Sequence, residues 1–102
     1  MLIKHGVRTS VSLQDPILCI LPKLESIYHR YGHECVITSA VEGRHKEGSK
    51  HYEGLAIDIR IRFFNSQEQK NGVFLKIQAE LGPDYDVVLH DTHIHIEYDP
   101  KV

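Results

Sequence analysis

The stretch "LAIDIRIRF", residues 55 to 63, alternates without interruption, with Leu55, Ile57, Ile59, Ile61 and Phe63 on one side and Ala56, Asp58, Arg60 and Arg62 on the other. A period of two belongs to an extended chain whose successive side chains point to opposite faces, and it does not fit an amphipathic helix. The segment reads as a strand in a sheet with one apolar face. Asp58 stands on the other face.

A second period of two lies near the end, in "HIHIEYD", residues 93 to 99, where His93, His95 and Glu97 share one side and Ile94 and Ile96 the other. The longer stretch "YDVVLHDTHIHIEYDP" reads as two short strands joined by a tight turn at Asp91-Thr92, although it lacks the Gly of the favoured hairpin turns. With a two-residue turn, His90 and His93 become cross-strand neighbours with Cβ atoms about 5 Å apart. Three imidazoles then share one patch.

Helical spacing governs two other segments. In "LQDPILCILPKLESIYHRYG", Asp15 is a candidate N-cap and Pro16 the first helical residue. Ile17, Leu18, Leu21, Leu24, Ile27, Tyr28 and Tyr31 recur on one side, and Gly32 closes the run. Pro22 removes a backbone donor inside it, so the helix either kinks or splits into a first turn and a longer piece. In "NSQEQKNGVFLKIQAELGP", Ser66 is the candidate N-cap, Phe74, Ile77 and Leu81 point inward, and Gly82-Pro83 is the stop. "ECVITSA", residues 34 to 40, reads as a further strand, and "VEGRHKEGSKHYEG" as a glycine-rich surface loop. No βαβ alternation is evident. The expected fold is a single α+β domain over residues 1 to 102, with a mainly antiparallel sheet flanked by two or three helices.

Composition narrows the function classes. An apolar content of 41% and a charged content of 25% exclude a disordered chain. A formal charge of -2 with no run of Lys or Arg leaves no electrostatic footprint for nucleic acid. Nothing approaches the ~20 apolar residues of a membrane helix, and the first residues do not form a signal peptide. The chain is expected to be a monomer, cytoplasmic as synthesised, that meets neither membrane nor nucleic acid. Cys19 and Cys35 sit in apolar stretches and read as reduced, buried thiols.

Eight histidines and no tryptophan give the composition its bias, and His51, His90, His93 and His95 fall in two short stretches of the second half. His51 and Asp58 are seven residues apart, two helical turns, but Gly54 and the strand that follows argue against a shared helix face. His51 then comes from a loop that folds back over a strand aspartate, with Ala56 leaving room beside the carboxylate. A single histidine is usually a surface or hydrogen-bonded core residue. Four of them with an aspartate on converging segments point to a metal. Two His and one carboxylate with water in the fourth place is a ligand set of the catalytic zinc kind.

"SKHYEGLAID" matches S-x-H-x-x-G-x-A-x-D at Ser49, His51, Gly54, Ala56 and Asp58, and "HIH" supplies the H-x-H that follows. On these motifs, over about residues 36 to 98, the chain resembles the zinc D,D-peptidases and their relatives, the penicillin-insensitive murein endopeptidases and the Hedgehog signalling domain. The resemblance implies one zinc ion on His51, Asp58 and His95, with His93 close to the metal-bound water. His90 looks like a further histidine of the histidine-rich branch. Another branch carries an acid three residues before the last ligand, where this chain has Thr92.

His93 is therefore the first choice of general base, with His90 supporting it; Asp91 could serve only if the turn aims it inward. Arg44 is either the cation for an oxyanion or substrate carboxylate, or a solvated loop arginine. Ser49 is a candidate to fix the loop or bond a ligand. Glu97 either orients the ligands or is a plain surface carboxylate. Arg60 and Arg62 read as a solvated or ion-paired edge. The expected activity is metal-assisted amide hydrolysis in peptidoglycan stem peptides, near D-alanine or at an L-alanyl-D-glutamate bond. A small phage endolysin, released to the cell wall at lysis, would suit the size. The competing expectations are a Hedgehog-like zinc module without turnover and a metal-free domain with histidine-rich strands.

Overall fold

The computed structural model describes residues 1–4, 13–40 and 54–100. Eight elements follow in order: β1 (Leu2–Ile3), α1 (Asp15–Leu18), α2 (Leu21–Arg30), β2 (Val36–Ser39), β3 (Ala56–Arg60), α3 (Gln67–Leu81), β4 (Tyr85–Leu89) and β5 (His93–Tyr98). The five strands form one sheet in the order β1-β2-β3-β5-β4. Every pairing is antiparallel except that of β1 with β2. The chain is a single α+β domain, as its pattern implies.

The split at Pro22 is realised. Residues Cys19 and Ile20 separate α1 from α2, and Pro22 sits in the first turn of α2, where its missing N–H has no helical acceptor to lose. The cap of α1 differs from expectation. Gln14 is the N-cap and its side chain does not cap the helix, while Asp15 is the first helical residue, where its charge meets the positive end of the helix. The break also turns Cys19 and Leu18 outward, so Cys19 is exposed rather than buried, whereas Cys35 is buried and its thiol is pushed up to about 12 by desolvation. Gly32, at φ +78°, ends the segment in a left-handed conformation that a side chain would strain. In α3 the expected cap is present, with the Gln69 N–H donating to Ser66 Oγ at 3.1 Å.

Connectivity determines which strands meet. After β3 the chain crosses through α3 to β4, then returns through the hairpin so that β5 slots between β3 and β4. Ile57 and Ile59 of β3 oppose Ile96 and Ile94 of β5, and all four have no exposed surface. They pack with Ile17, Leu24, Ile27 and Tyr28 of the first two helices and Val73, Ile77 and Leu81 of α3 in one core cluster. Each such side chain contributes about 1.5–3 kcal/mol through burial. Because the side-chain period is two, burying these isoleucines turns Asp58, Arg60, His93, His95 and Glu97 together to the other face.

Candidate metal and hydrolytic site

Register builds the site. Asp58 pairs directly with His95, Arg60 with His93 and Ala56 with Glu97. Cross-strand partners have Cβ atoms about 5 Å apart, so an Asp and a His placed this way meet without bending the backbone. His95 Nδ1 lies 3.0 Å from Asp58 Oδ1, and its Nε2 lies 2.8 Å from Glu97 Oε1. Both ring nitrogens thus face a carboxylate. The hydrogen bond to Asp58 is the largest cause raising the pKa of His95 above its ordinary 6.5, with Glu97 adding to it and desolvation opposing it.

His93 stands beside this chain of contacts. Its Nε2 is 4.0 Å from Asp58 Oδ2, and its Nδ1 shares a hydrogen bond of 3.2 Å with Thr92 Oγ1. The hairpin turn falls at Asp91-Thr92, with His90 N–H donating to His93 O at 2.9 Å. Neither turn residue has a positive φ, so it is not the mirror-image type I′ turn that calls for Gly. Two bonds pin it: Ile61 N–H donates to Thr92 O, and Lys70 Nζ donates to Asp91 O at 3.1 Å. The rings of His90 and His93 stack at 4.6 Å with 25° between their planes.

A cavity of about 260 Å³ opens between Asp58 and His93. Ala56 has no exposed surface, so the room beside Asp58 lies toward Arg60 rather than over the alanine as expected. Asp91 and His90 do not line this cavity and are exposed. Lys4, Thr38 and Ser39, which sequence reasoning did not single out, do line it. Strands too short to show an alternation carry no signal for them. Arg60 and Arg62, expected as a solvated edge, line it as well.

The geometry fits a zinc ligand pair. Tetrahedral bonds of about 2.0–2.2 Å place ligand atoms about 3.3–3.6 Å apart, so the 3.0 Å hydrogen-bonded pair of His95 Nδ1 and Asp58 Oδ1 would open by about 0.3–0.6 Å to take an ion. Glu97 on the other nitrogen is the carboxylate that metal-binding histidines commonly carry. His51, Arg44 and Ser49 lie outside the described residues. Of the remaining motif positions, Gly54 has φ +73°, which a Cβ would strain, and Ala56 is enclosed. Among the described residues Asp58 and His95 bring two ligand atoms together, whereas the groups of three that could hold a cation are Asp86, Glu97 and Asp99, and Glu25, His29 and Glu34.

No family model, curated protein or solved structure matches the chain.

Proposed function

We propose that this protein is a zinc-dependent peptidase that hydrolyses a peptide bond in peptidoglycan stem peptides, of the D-Ala-D-Ala carboxypeptidase or the L-Ala-D-Glu or D,D-endopeptidase type. The observation that carries the reading is the pairing of Asp58 with His95 at 3.0 Å. These are two of the three ligands implied by the motif, and His51 would be the third.

When bound, zinc supplies a Lewis acid that polarises the scissile carbonyl and lowers the pKa of water to about 7. Asp58 and His95 would hold the ion, and Glu97 fixes the His95 ring by its Nε2. Thr92 engages Nδ1 of His93, which leaves Nε2 facing Asp58. That nitrogen takes the proton of the attacking water and returns it to the leaving amine. His90 supports the ring by stacking, and Arg44, which lies outside the described residues, would be the cation for the oxyanion or a substrate carboxylate.

Zinc by elemental analysis and release of peptide fragments from purified peptidoglycan test the reading. Wild type is expected to hold one zinc and to cleave. Asp58→Ala should lose both, and His93→Ala should keep zinc while cleavage falls about 10²–10⁴-fold. A zinc-free wild type overturns the ligand set, and undiminished cleavage by His93→Ala overturns the base. A second reading, a zinc-bearing recognition module without turnover, draws on Thr92 standing where another branch has an acid. Zinc binding with no cleavage would favour it.

A further inference from the structure

The pairing of β2 with β3 is irregular beside Asp58. Ile37 stands opposite Ile59 and Ser39 opposite Asp58, so two steps along β2 answer one along β3. That is a β-bulge, with one extra residue on β2. In a regular ladder Ser39 would share the core-facing side of Ile37, which is buried. The bulge turns it over. Thr38 and Ser39, neighbours in sequence, both line the cavity on the open face, and the core side resumes at Ala40, which has no exposed surface.

Both hydroxyls thereby come to Asp58. Thr38 Oγ1 donates to the Asp58 carbonyl at 3.4 Å, which holds the main chain there. Ser39 faces the Asp58 side chain as its cross-strand partner, and Cβ atoms about 5 Å apart are within reach of a hydroxyl-to-carboxylate hydrogen bond. With its side chain only 16% exposed, Asp58 takes most of its polar partners from the protein. An aspartate has three staggered χ1 wells, and a change of well would carry its oxygens away from the 3.0 Å contact with His95 Nδ1.

We propose that the β2 bulge is a positioning device for Asp58: Thr38, through the main chain, and Ser39, through the carboxylate, hold Asp58 in the rotamer that meets His95. Both are positioning residues, and neither is a zinc ligand. The inference deepens the peptidase reading and, for its effect on zinc, rests on it.

The test begins with metal-free labelled protein, so its outcome is separate from whether zinc binds or a bond is cut. Three-bond NMR couplings report the χ1 of Asp58, and the His95 ring N–H signal reports the bond between the two side chains. Wild type is expected to show one rotamer and a protected ring N–H. The hydroxyl-free double variant Thr38→Val, Ser39→Ala should average over rotamers and lose that signal to exchange with water, while Thr38→Ser, Ser39→Thr, which keeps both hydroxyls, should restore both. Zinc affinity should fall about ten-fold in the hydroxyl-free variant and recover in the other. Should the double variant fail to fold, Ser39→Ala alone, at a half-buried position, should loosen the Asp58 rotamer. A single Asp58 rotamer with an unchanged His95 signal in the hydroxyl-free variants would overturn the device, as would equal losses in the hydroxyl-retaining one. Wild type that shows the expected NMR pattern but takes no zinc would contradict the peptidase reading and leave the device standing.

Discussion

His95 stands on the open face with a carboxylate at each ring nitrogen. In metal-free protein this holds its proton more tightly than the unfolded chain does, so its pKa lies above 6.5. The sign follows directly. The stabilisation is complete below pH 6.5 and is lost as pH rises through the higher folded-state pKa. Urea melts of metal-free wild type and Asp58→Asn should therefore differ most at acid pH and converge above the folded-state pKa. A gap independent of pH would contradict the pairing. A zinc ion held at Nδ1 would compete with that proton, so zinc binding should tighten as pH rises through the same window. Glu97→Ala removes the partner of Nε2 and should weaken zinc affinity about 10–100-fold, read by competition with a chromogenic chelator. If Glu97 were a plain surface carboxylate, the affinity would not move.

The elements show where the sequence is informative. Two runs of strict alternation identified β3 and β5, because a period of two is a local property, although β3 ends at Arg60 and the chain turns at Arg62 and Phe63, short of where the alternation stops. Ser66 as cap of α3 and the break at Pro22 were equally legible, since each depends on a single residue's bonding capacity. Ser66→Ala should cost about 1 kcal/mol of stability in a denaturant melt. Gly54 is a sharper case: at φ +73°, a Cβ should cost about 1–2 kcal/mol. Gly54→Ala should also lower zinc affinity, because strain there displaces the entry to β3 and with it Asp58. Less legible were the ends of α1 and the outward turn of Cys19 and Leu18, which depend on where the helix breaks rather than on spacing.

At the scale of the whole molecule the core and the candidate site are opposite faces of one sheet. The helices cover the isoleucine face, and the same pleat that buries Ile57, Ile59, Ile94 and Ile96 sets Asp58, His93 and His95 side by side. What the sequence did not disclose is long-range: the parallel pairing of β1 with β2, and the insertion of β5 between β3 and β4. Those pairings bring Lys4 and Arg60 to one cavity with His93, and no local pattern encodes them. The proposed zinc ion would sit where Asp58 of β3 and His95 of β5 pair on the open face. Anomalous diffraction at the zinc edge, on crystals grown with zinc, locates it most directly. The expected peak lies about 2.0–2.2 Å from His95 Nδ1 and an Asp58 oxygen, with His51 as a third ligand. A peak confined to Asp86, Glu97 and Asp99 or to Glu25, His29 and Glu34, or no peak at all, would contradict it.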